Sequence, residues 1–284
     1  TVRSAASWTL GLNLENLVLT GTAAVNGTGN ALANKLTGND AANTLSGQLG
    51  NDTLLGGLGN DRLNGLAGTD SLGGGAGLDV LAGGLGNDTL NGGLGADGFL
   101  FDAALSATNV DLVSDFVHGV DKLRLDDDVF SALSAAVPAL SPDAFYSAAG
   151  ATAAHDADDR IVYNKTTGAL FYDADGLGGT AAVRFAFLGA TTHPTIDAGD
   201  FIPPLHLPHA IDVNNPKGYG GLTGPDEHFR MRWDIERSMR DSVKVIADTQ
   251  AEFARRFGRK YGFTEDYRCD DADVVILSLG TFGK

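Results

Sequence analysis

Aspartate recurs every ninth residue at Asp52, Asp61, Asp70, Asp79, Asp88 and Asp97, and Asn34 and Asn43 fill the two preceding places in the same register. Two residues after each stands an apolar side chain: Leu36, Leu45, Leu54, Leu63, Leu72, Leu81, Leu90 and finally Phe99. Five residues before each aspartate stands Gly47, Gly56, Gly65, Gly74, Gly83 or Gly92, and two before it stands Gly50, Gly59, Gly68, Gly77, Gly86 or Gly95. The unit is Gly-Gly-x-Gly-x-Asp-x-Leu-x. It has almost no partner side chain for acid–base work. A short carboxylate in a glycine-rich turn can instead help to supply the hard oxygen ligands that Ca²⁺ takes in sets of six to eight.

The elements that position these carboxylates follow from the period. In a helix, nine residues at about 100° each would throw successive leucines to opposite sides. Extended segments accommodate it: three residues around each leucine form a short strand, the glycine-rich six form a turn, and eighteen residues complete one flattened coil with two inward leucines. Stacked coils then bury a leucine ladder between two parallel sheets, with neighbouring coils about 4.8 Å apart. Glycine serves a turn that needs positive φ and carbonyls turned toward a shared point. Aspartates eighteen apart share an edge, so Asp52, Asp70 and Asp88 stack on one side and Asp61, Asp79 and Asp97 on the other. At that spacing two carboxylates repel by about 1 kcal/mol even in water. A divalent cation between them reverses the sign. Four gaps are well formed (52/70, 70/88, 61/79 and 79/97), and two weaker ones involve Asn34 or Asn43, so about four and up to six Ca²⁺ are expected. Mg²⁺ fits less well because it demands tight octahedral geometry and keeps its waters. A flexible linker would need no register, whereas eight units run here in phase.

These nonapeptides resemble the RTX, or haemolysin-type, calcium-binding family over residues 29–101. The resemblance extends outward. "ENLVLTGTAAVNGTGNALANKLTGND" is similar to the degenerate leading coils of bacterial RTX proteins, with Leu14, Leu17 and Leu19 as the first inward ladder. "DGFLFDAALSATNVDLVSDFVHGVDKLRLDDDVF" resembles the segment that caps the roll in a serralysin-like C-terminal module. A cap is needed physically, because the last coil would otherwise expose its edge and its apolar interior. Phe99 with Phe101, Leu112 with Phe116, and Leu123 with Leu125 read as its short strands. Ile161 and Tyr163 precede, and Leu170 and Tyr172 follow, a turn at 164–168 that predicts a hairpin. "DADG" at 173–176 reads as a tight turn rather than an EF-hand, since Arg184 holds the place of the terminal Glu. "TIDAGDFI" at 195–202 resembles the usual end of the family, where an uncleaved signal directs type I secretion.

Composition divides the chain further. Of its net charge of −16, residues 1–202 carry −15, and 22 of the 23 acids there are Asp. Such acidity argues against nucleic-acid binding. No apolar run of 18 residues predicts a membrane span, and one cysteine, Cys269, excludes an internal disulfide framework and cysteine-ligated clusters. Thr1 in place of Met, with no signal peptide after it, suggests a truncated start. "IPPLHLPH" at 202–209 marks a break. Beyond it the spacing of Phe229, Trp233, Met239, Val243, Ile246, Phe253 and Phe257 predicts an amphipathic helix, and Val274 to Leu279 predicts a buried strand. Phe257, Gly258, Arg259 and Tyr261, with Tyr267, Asp271, Ala272 and Asp273, resemble the α subunit of pyruvate and other 2-oxoacid:ferredoxin oxidoreductases. For a complete enzyme that resemblance implies thiamine diphosphate, coenzyme A and iron–sulfur chemistry, but the thiamine-type Gly-Asp-Gly motif and cluster cysteines are absent from this sequence. No His-Glu-x-x-His pattern occurs; His206 and His209 read as solvated linker, Cys269 as an unreactive thiol, and "GYGG" at 218–221 is not a phosphate loop.

The expected architecture is mainly β, a parallel β-roll with a β-rich cap, followed by a long helix and one strand of an incomplete α/β domain. The boundaries are 1–28 for the degenerate leading coils, 29–101 for the calcium-binding roll and 102–202 for the capping and secretion module. A linker at 203–223 and the truncated oxidoreductase-like piece at 224–284 follow. The expected function is that of a non-catalytic, calcium-binding module of a secreted, extracellular bacterial protein. Its partners are calcium and the type I secretion machinery, with no nucleic acid and no membrane span, and it folds on calcium after export. Two alternatives are an oxidoreductase α-subunit fragment at 224–284 and an adhesin or surface-layer segment. The tail at 203–284 is either a genuine fusion or a gene-calling or assembly artefact.

Overall fold

The computed structural model describes residues 1–133 and 140–202. The linker at 203–223 and the helix and strand expected within 224–284, with His206, His209, Cys269 and "GYGG", lie outside the described residues. Among the described residues no helix is long and apolar enough to cross a membrane.

Alternate units of the repeat go to alternate sheets. Thr53–Leu58, Ser71–Ala76 and Thr89–Leu94 pair in parallel in one sheet, and Thr44–Leu49, Arg62–Ala67 and Val80–Leu85 in the other. The inward ladders stay in register through both. Leu17, Leu36, Leu54, Leu72 and Leu90 stand side by side and are continued by Val113 and Leu188. Opposite them run Leu45, Leu63, Leu81 and Phe99, continued by Leu123 and Phe201. Each of these side chains is at most 1% exposed. Burying one such side chain contributes about 1.5–3 kcal/mol, so the ladder rather than any polar contact holds the sheets face to face. Gly27 occupies the rung before Leu45, and Leu17 and Leu45 close over it, their Cδ2 atoms 3.0 and 3.1 Å from where a Cβ would sit.

The division of each unit differs from the expected three-residue strand and six-residue turn. Strands are six residues long, as in Thr53–Leu58 and Arg62–Ala67, and three residues such as 59–61 make the turn. The first glycine of each unit interrupts the pairing, which passes from Leu55 opposite Gly73 directly to Gly57 opposite Gly75 with the register unchanged. Glycines in the second place adopt positive φ without leaving the ladder, as Gly57 does at 113°.

The cap extends the same two sheets. Asp111–Val113 pairs with Thr89–Leu94, and Lys122–Leu125 with Gly98–Phe101. The inward residue of the first is Val113 rather than the expected Leu112, because the strand enters one residue later; Leu112 is only half-buried. Ile161–Asn164 and Ala169–Tyr172 form the predicted hairpin, with Tyr163 opposite Leu170 and Ile161 opposite Tyr172. Val183–Leu188 joins this hairpin antiparallel and pairs parallel with Asp111–Val113, stitching it to the roll. Phe130 lies 5.1 Å from both Tyr172 and Phe185, and these rings fill the end of the core. The "TIDAGDFI" segment ends in the Phe201–Ile202 strand beside Lys122–Leu125. "DADG" folds as the expected tight turn, the Asp173 carboxylate accepting the Gly176 N–H at 3.0 Å.

Candidate calcium site

Each aspartate of the repeat closes its three-residue turn with the side chain facing inward along the edge of the roll. The six are 1–2% exposed. As the nine-residue spacing required, they form two columns, and one oxygen of each carboxylate bonds the neighbouring coil. Asp70 Oδ1 accepts the Asp52 N–H and Asp88 Oδ1 accepts the Asp70 N–H, both at 2.7 Å. On the other edge Asp79 Oδ1 accepts the Asp61 N–H at 2.7 Å and Asp97 Oδ1 the Asp79 N–H at 2.9 Å. Asn34 and Asn43 stand at the head of the columns, their N–H groups donating to Asp52 and Asp61.

The second oxygen is left without a donor. Oδ2 of Asp52, Asp61, Asp70, Asp79 and Asp88 is buried and has no hydrogen-bond partner. Each lies against the first glycine of its own unit, and for Asp52, Asp61, Asp70 and Asp79 a carbonyl of the next coil also arrives there: a Cβ at Gly56 would strike Asp61 Oδ2 and lie 2.5 Å from Gly74 O. Gly65 and Gly74 repeat the pattern with Gly83 O and Gly92 O. These first glycines are therefore required by close approach rather than by positive φ. Positive φ belongs to the second place of each unit, and to the fourth at Gly50, Gly59, Gly68, Gly77, Gly86 and Gly95. Buried carboxylate oxygens facing carbonyl oxygens, with no donor between them, fit a hard cation and nothing that must accept a hydrogen bond.

The electrostatics agree. Burial pushes the carboxyl groups of Asp52, Asp61, Asp79, Asp88 and Asp97 up from 3.8 to about 6, and Asp70 upward too. The neighbouring acid adds to the rise at Asp52, Asp79, Asp88 and Asp97. Near neutral pH these groups ionise against that resistance unless a cation is present.

Two further aspartates extend the columns. Asp111 Oδ1 accepts the Asp88 N–H at 3.1 Å, and Asp121 Oδ1 the Asp97 N–H at 3.0 Å. They are 5% and 3% exposed, and burial followed by the Asp88 charge pushes Asp111 up to about 8. The period hides them, since they stand 23 and 24 residues on rather than eighteen. A signal was nonetheless there: each precedes an inward apolar residue, Val113 or Leu123, by two places.

Other acidic clusters differ in being satisfied. Asp200 accepts from Gly119 N and Asp197 N, both at 2.9 Å, and pairs with His118 Nδ1 at 2.6 Å. Asp159 Oδ2 accepts from His155 N and Asp156 N. These carboxylates tie loops down.

Comparison with known proteins agrees with this geometry. The family described as the RTX calcium-binding nonapeptide repeat (4 copies) matches residues 28–63, 37–72 and 64–99. A separate likeness joins this chain to the pyruvate synthase subunit PorA of Methanothermobacter thermautotrophicus, 34% identical over 85 residues, which are 30% of this chain and 22% of that protein. The ketoisovalerate oxidoreductase subunit VorA of Pyrococcus abyssi is 34% identical over 107 residues, 35% of this chain and 27% of its own. The chain thus spans about a fifth to a quarter of the length of these curated relatives. Among solved structures, the AlgE6R3 subunit of the Azotobacter vinelandii mannuronan C5-epimerase shares 22% identity over 68% of this chain and 90% of that one, with a TM-score of 0.23. Residues 28–99 thus match the RTX calcium-binding nonapeptide repeat and are folded as a parallel β-roll whose buried aspartate columns run along its two edges.

Proposed function

We propose that calcium is the folding ligand of this roll, held between stacked coils by Asp52, Asp61, Asp70, Asp79, Asp88 and Asp97 with glycine carbonyls. The gaps 52/70, 70/88, 61/79 and 79/97 take the ion, and Asp111 and Asp121 offer a further acid at the far end of each column. The observation that carries this reading is the row of buried Oδ2 atoms with no donor. Without calcium the columns repel and the glycine turns cost too much conformational entropy. With it, each filled site stabilises the native state by RT ln(1 + [Ca²⁺]/Kd), about 2.7 kcal/mol at a hundredfold excess over Kd. The biological consequence is a chain that stays unfolded where calcium is scarce, leaves the cell by type I secretion and folds outside. The roll itself is a non-catalytic module attached to other activities. Circular dichroism during a calcium titration tests this: sheet signal should rise cooperatively in Ca²⁺.

A second reading is favoured by one observation, the identity with PorA and VorA. On it, part of the chain outside the described residues derives from a 2-oxoacid:ferredoxin oxidoreductase α subunit. Thiamine-dependent ferredoxin reduction by the purified chain would establish that activity, and its absence would leave the segment as a fragment.

A further inference from the structure

Among the described residues the coils before Asp52, the first aspartate of the columns, solve the same packing problem differently. Side-chain and carbonyl oxygens converge there as they do later: a Cβ at Gly29 would meet Asn34 Oδ1 and Gly47 O, and one at Gly38 would meet Asn43 Oδ1 and Gly56 O. Yet neither side-chain oxygen is orphaned. Asn34 Oδ1 accepts the Asn30 N–H at 2.7 Å, and Asn43 Oδ1 the Asn39 N–H at 2.8 Å. In the aspartate units the residue at that same place, four before the acid, is Gln48, Gly57, Leu66, Gly75, Gly84 or Gly93, and all six adopt positive φ. Asn30 and Asn39 do not. The backbone N–H that closes the asparagine sites does not reach the aspartate oxygens, which keep no donor.

The amide nitrogens complete the substitution. Asn43 Nδ2 donates to Val25 O at 2.6 Å and Asn34 Nδ2 to Leu14 O at 3.2 Å. Asn30 Nδ2 donates to Gly11 O and Leu14 O, both at 2.8 Å, and Asn39 Nδ2 to Gly21 O at 3.1 Å and Ala23 O at 2.9 Å. Each amide gathers carbonyls of the preceding turn, as a cation would, and brings no net charge into the stack. We infer that Asn30, Asn34, Asn39 and Asn43 do with side-chain amides what calcium does between the later coils, so that the coils up to Leu45 close without the ion and template the calcium-bound ones. The gaps at Asn34 and Asn43, expected from the sequence as weaker calcium sites, then hold none. Strands from Val2–Ser4 to Thr44–Leu49 make three coils, the number a solenoid needs to sustain itself. This inference rests on the reading of the aspartate columns as calcium sites.

Hydrogen exchange of the full chain, read by mass spectrometry in chelator and in millimolar calcium, separates the two. In chelator, residues 2–45 should exchange about a hundredfold more slowly than an unstructured chain while residues 52–101 exchange freely; calcium should then protect 52–101. Protection of both segments only on adding calcium, and in step, would overturn the inference and leave the calcium reading standing. If calcium protects neither, the calcium reading itself fails and takes this inference with it. Asn39→Ala provides a second measurement: protection of residues 2–45 in chelator should fall at least about tenfold, and an unchanged value contradicts the template.

Discussion

The Asp61 N–H donates to Asp79 Oδ1 at 2.7 Å, while Asp79 Oδ2 is buried with no donor at all. Each carboxylate is thus divided, one oxygen serving the backbone of the coil before it and the other held for a cation. Asp79→Asn separates the two roles because its amide keeps the acceptor and loses the charge. The variant should still form the roll in saturating calcium, with fewer ions bound and a several-fold higher calcium midpoint. Calorimetric titration against the unaltered protein checks it; an unchanged stoichiometry and midpoint would remove Asp79 from the site.

The pH dependence should change sign with calcium. In the ion-free roll the carboxyls of Asp52, Asp61, Asp79, Asp88 and Asp97 sit near 6 against 3.8 for an unperturbed group, so the folded state binds more protons than the unfolded chain between those values. Their contribution to stability is complete below about pH 4 and disappears as pH rises through 6. Calcium competes with those protons and should favour the roll at the higher pH. Circular dichroism in chelator should therefore show more folded roll at pH 4.5 than at 7.5, where the repeat segment is largely unfolded, and melts in calcium should give the higher Tm at 7.5. A folded fraction in chelator that climbs with pH would contradict the buried, unpaired state of the columns.

Two glycines five residues apart in sequence, Gly68 and Gly73, should respond very differently to alanine. Gly68 has φ of 149°, and a Cβ there would run into Gly50 O. Gly73 has ordinary backbone, and its nearest obstacle is the movable Leu55 Cδ2 at 3.3 Å. Gly68→Ala should cost at least about 1–3 kcal/mol even in saturating calcium, and Gly73→Ala well under that. Denaturant melts in calcium decide; equal losses would mean that the turn is not held as described.

Leu63 and Leu66 test the two faces of one strand. Leu63 is fully buried between Leu45 and Leu81, so Leu63→Ala should cost about 2–5 kcal/mol. Leu66 is 45% exposed at φ of 80°, so Leu66→Gly should stabilise by relieving strain of about 1 kcal/mol or more. Chemical denaturation of both variants in calcium measures the pair, and a destabilising Leu66→Gly would show that its exposed side chain is held by a contact.

Much of this was legible because a strict period leaves few solutions. Leucine every nine residues could line a core only from alternate sheets, and that alone placed Asp52, Asp70 and Asp88 in one column and Asp61, Asp79 and Asp97 in the other. The length of the strands was not legible, since glycine composition suggests turns while Gly57 and Gly75 still pair. Val113 displaced Leu112 because neighbouring apolar residues do not reveal which faces inward. Asp111 and Asp121 escaped a search by period once the connecting loops lengthened. The role of Asn30 and Asn39 depends on where a backbone N–H points, which no spacing records.

The most direct test of the calcium account is the far-ultraviolet circular dichroism of the full chain titrated with calcium, with magnesium as control and Asp70→Ala plus Asp79→Ala as the variant. A cooperative gain of sheet signal in calcium alone, weakened in the double variant, is the predicted result. A roll that forms fully in chelator, or forms equally in magnesium, would contradict it.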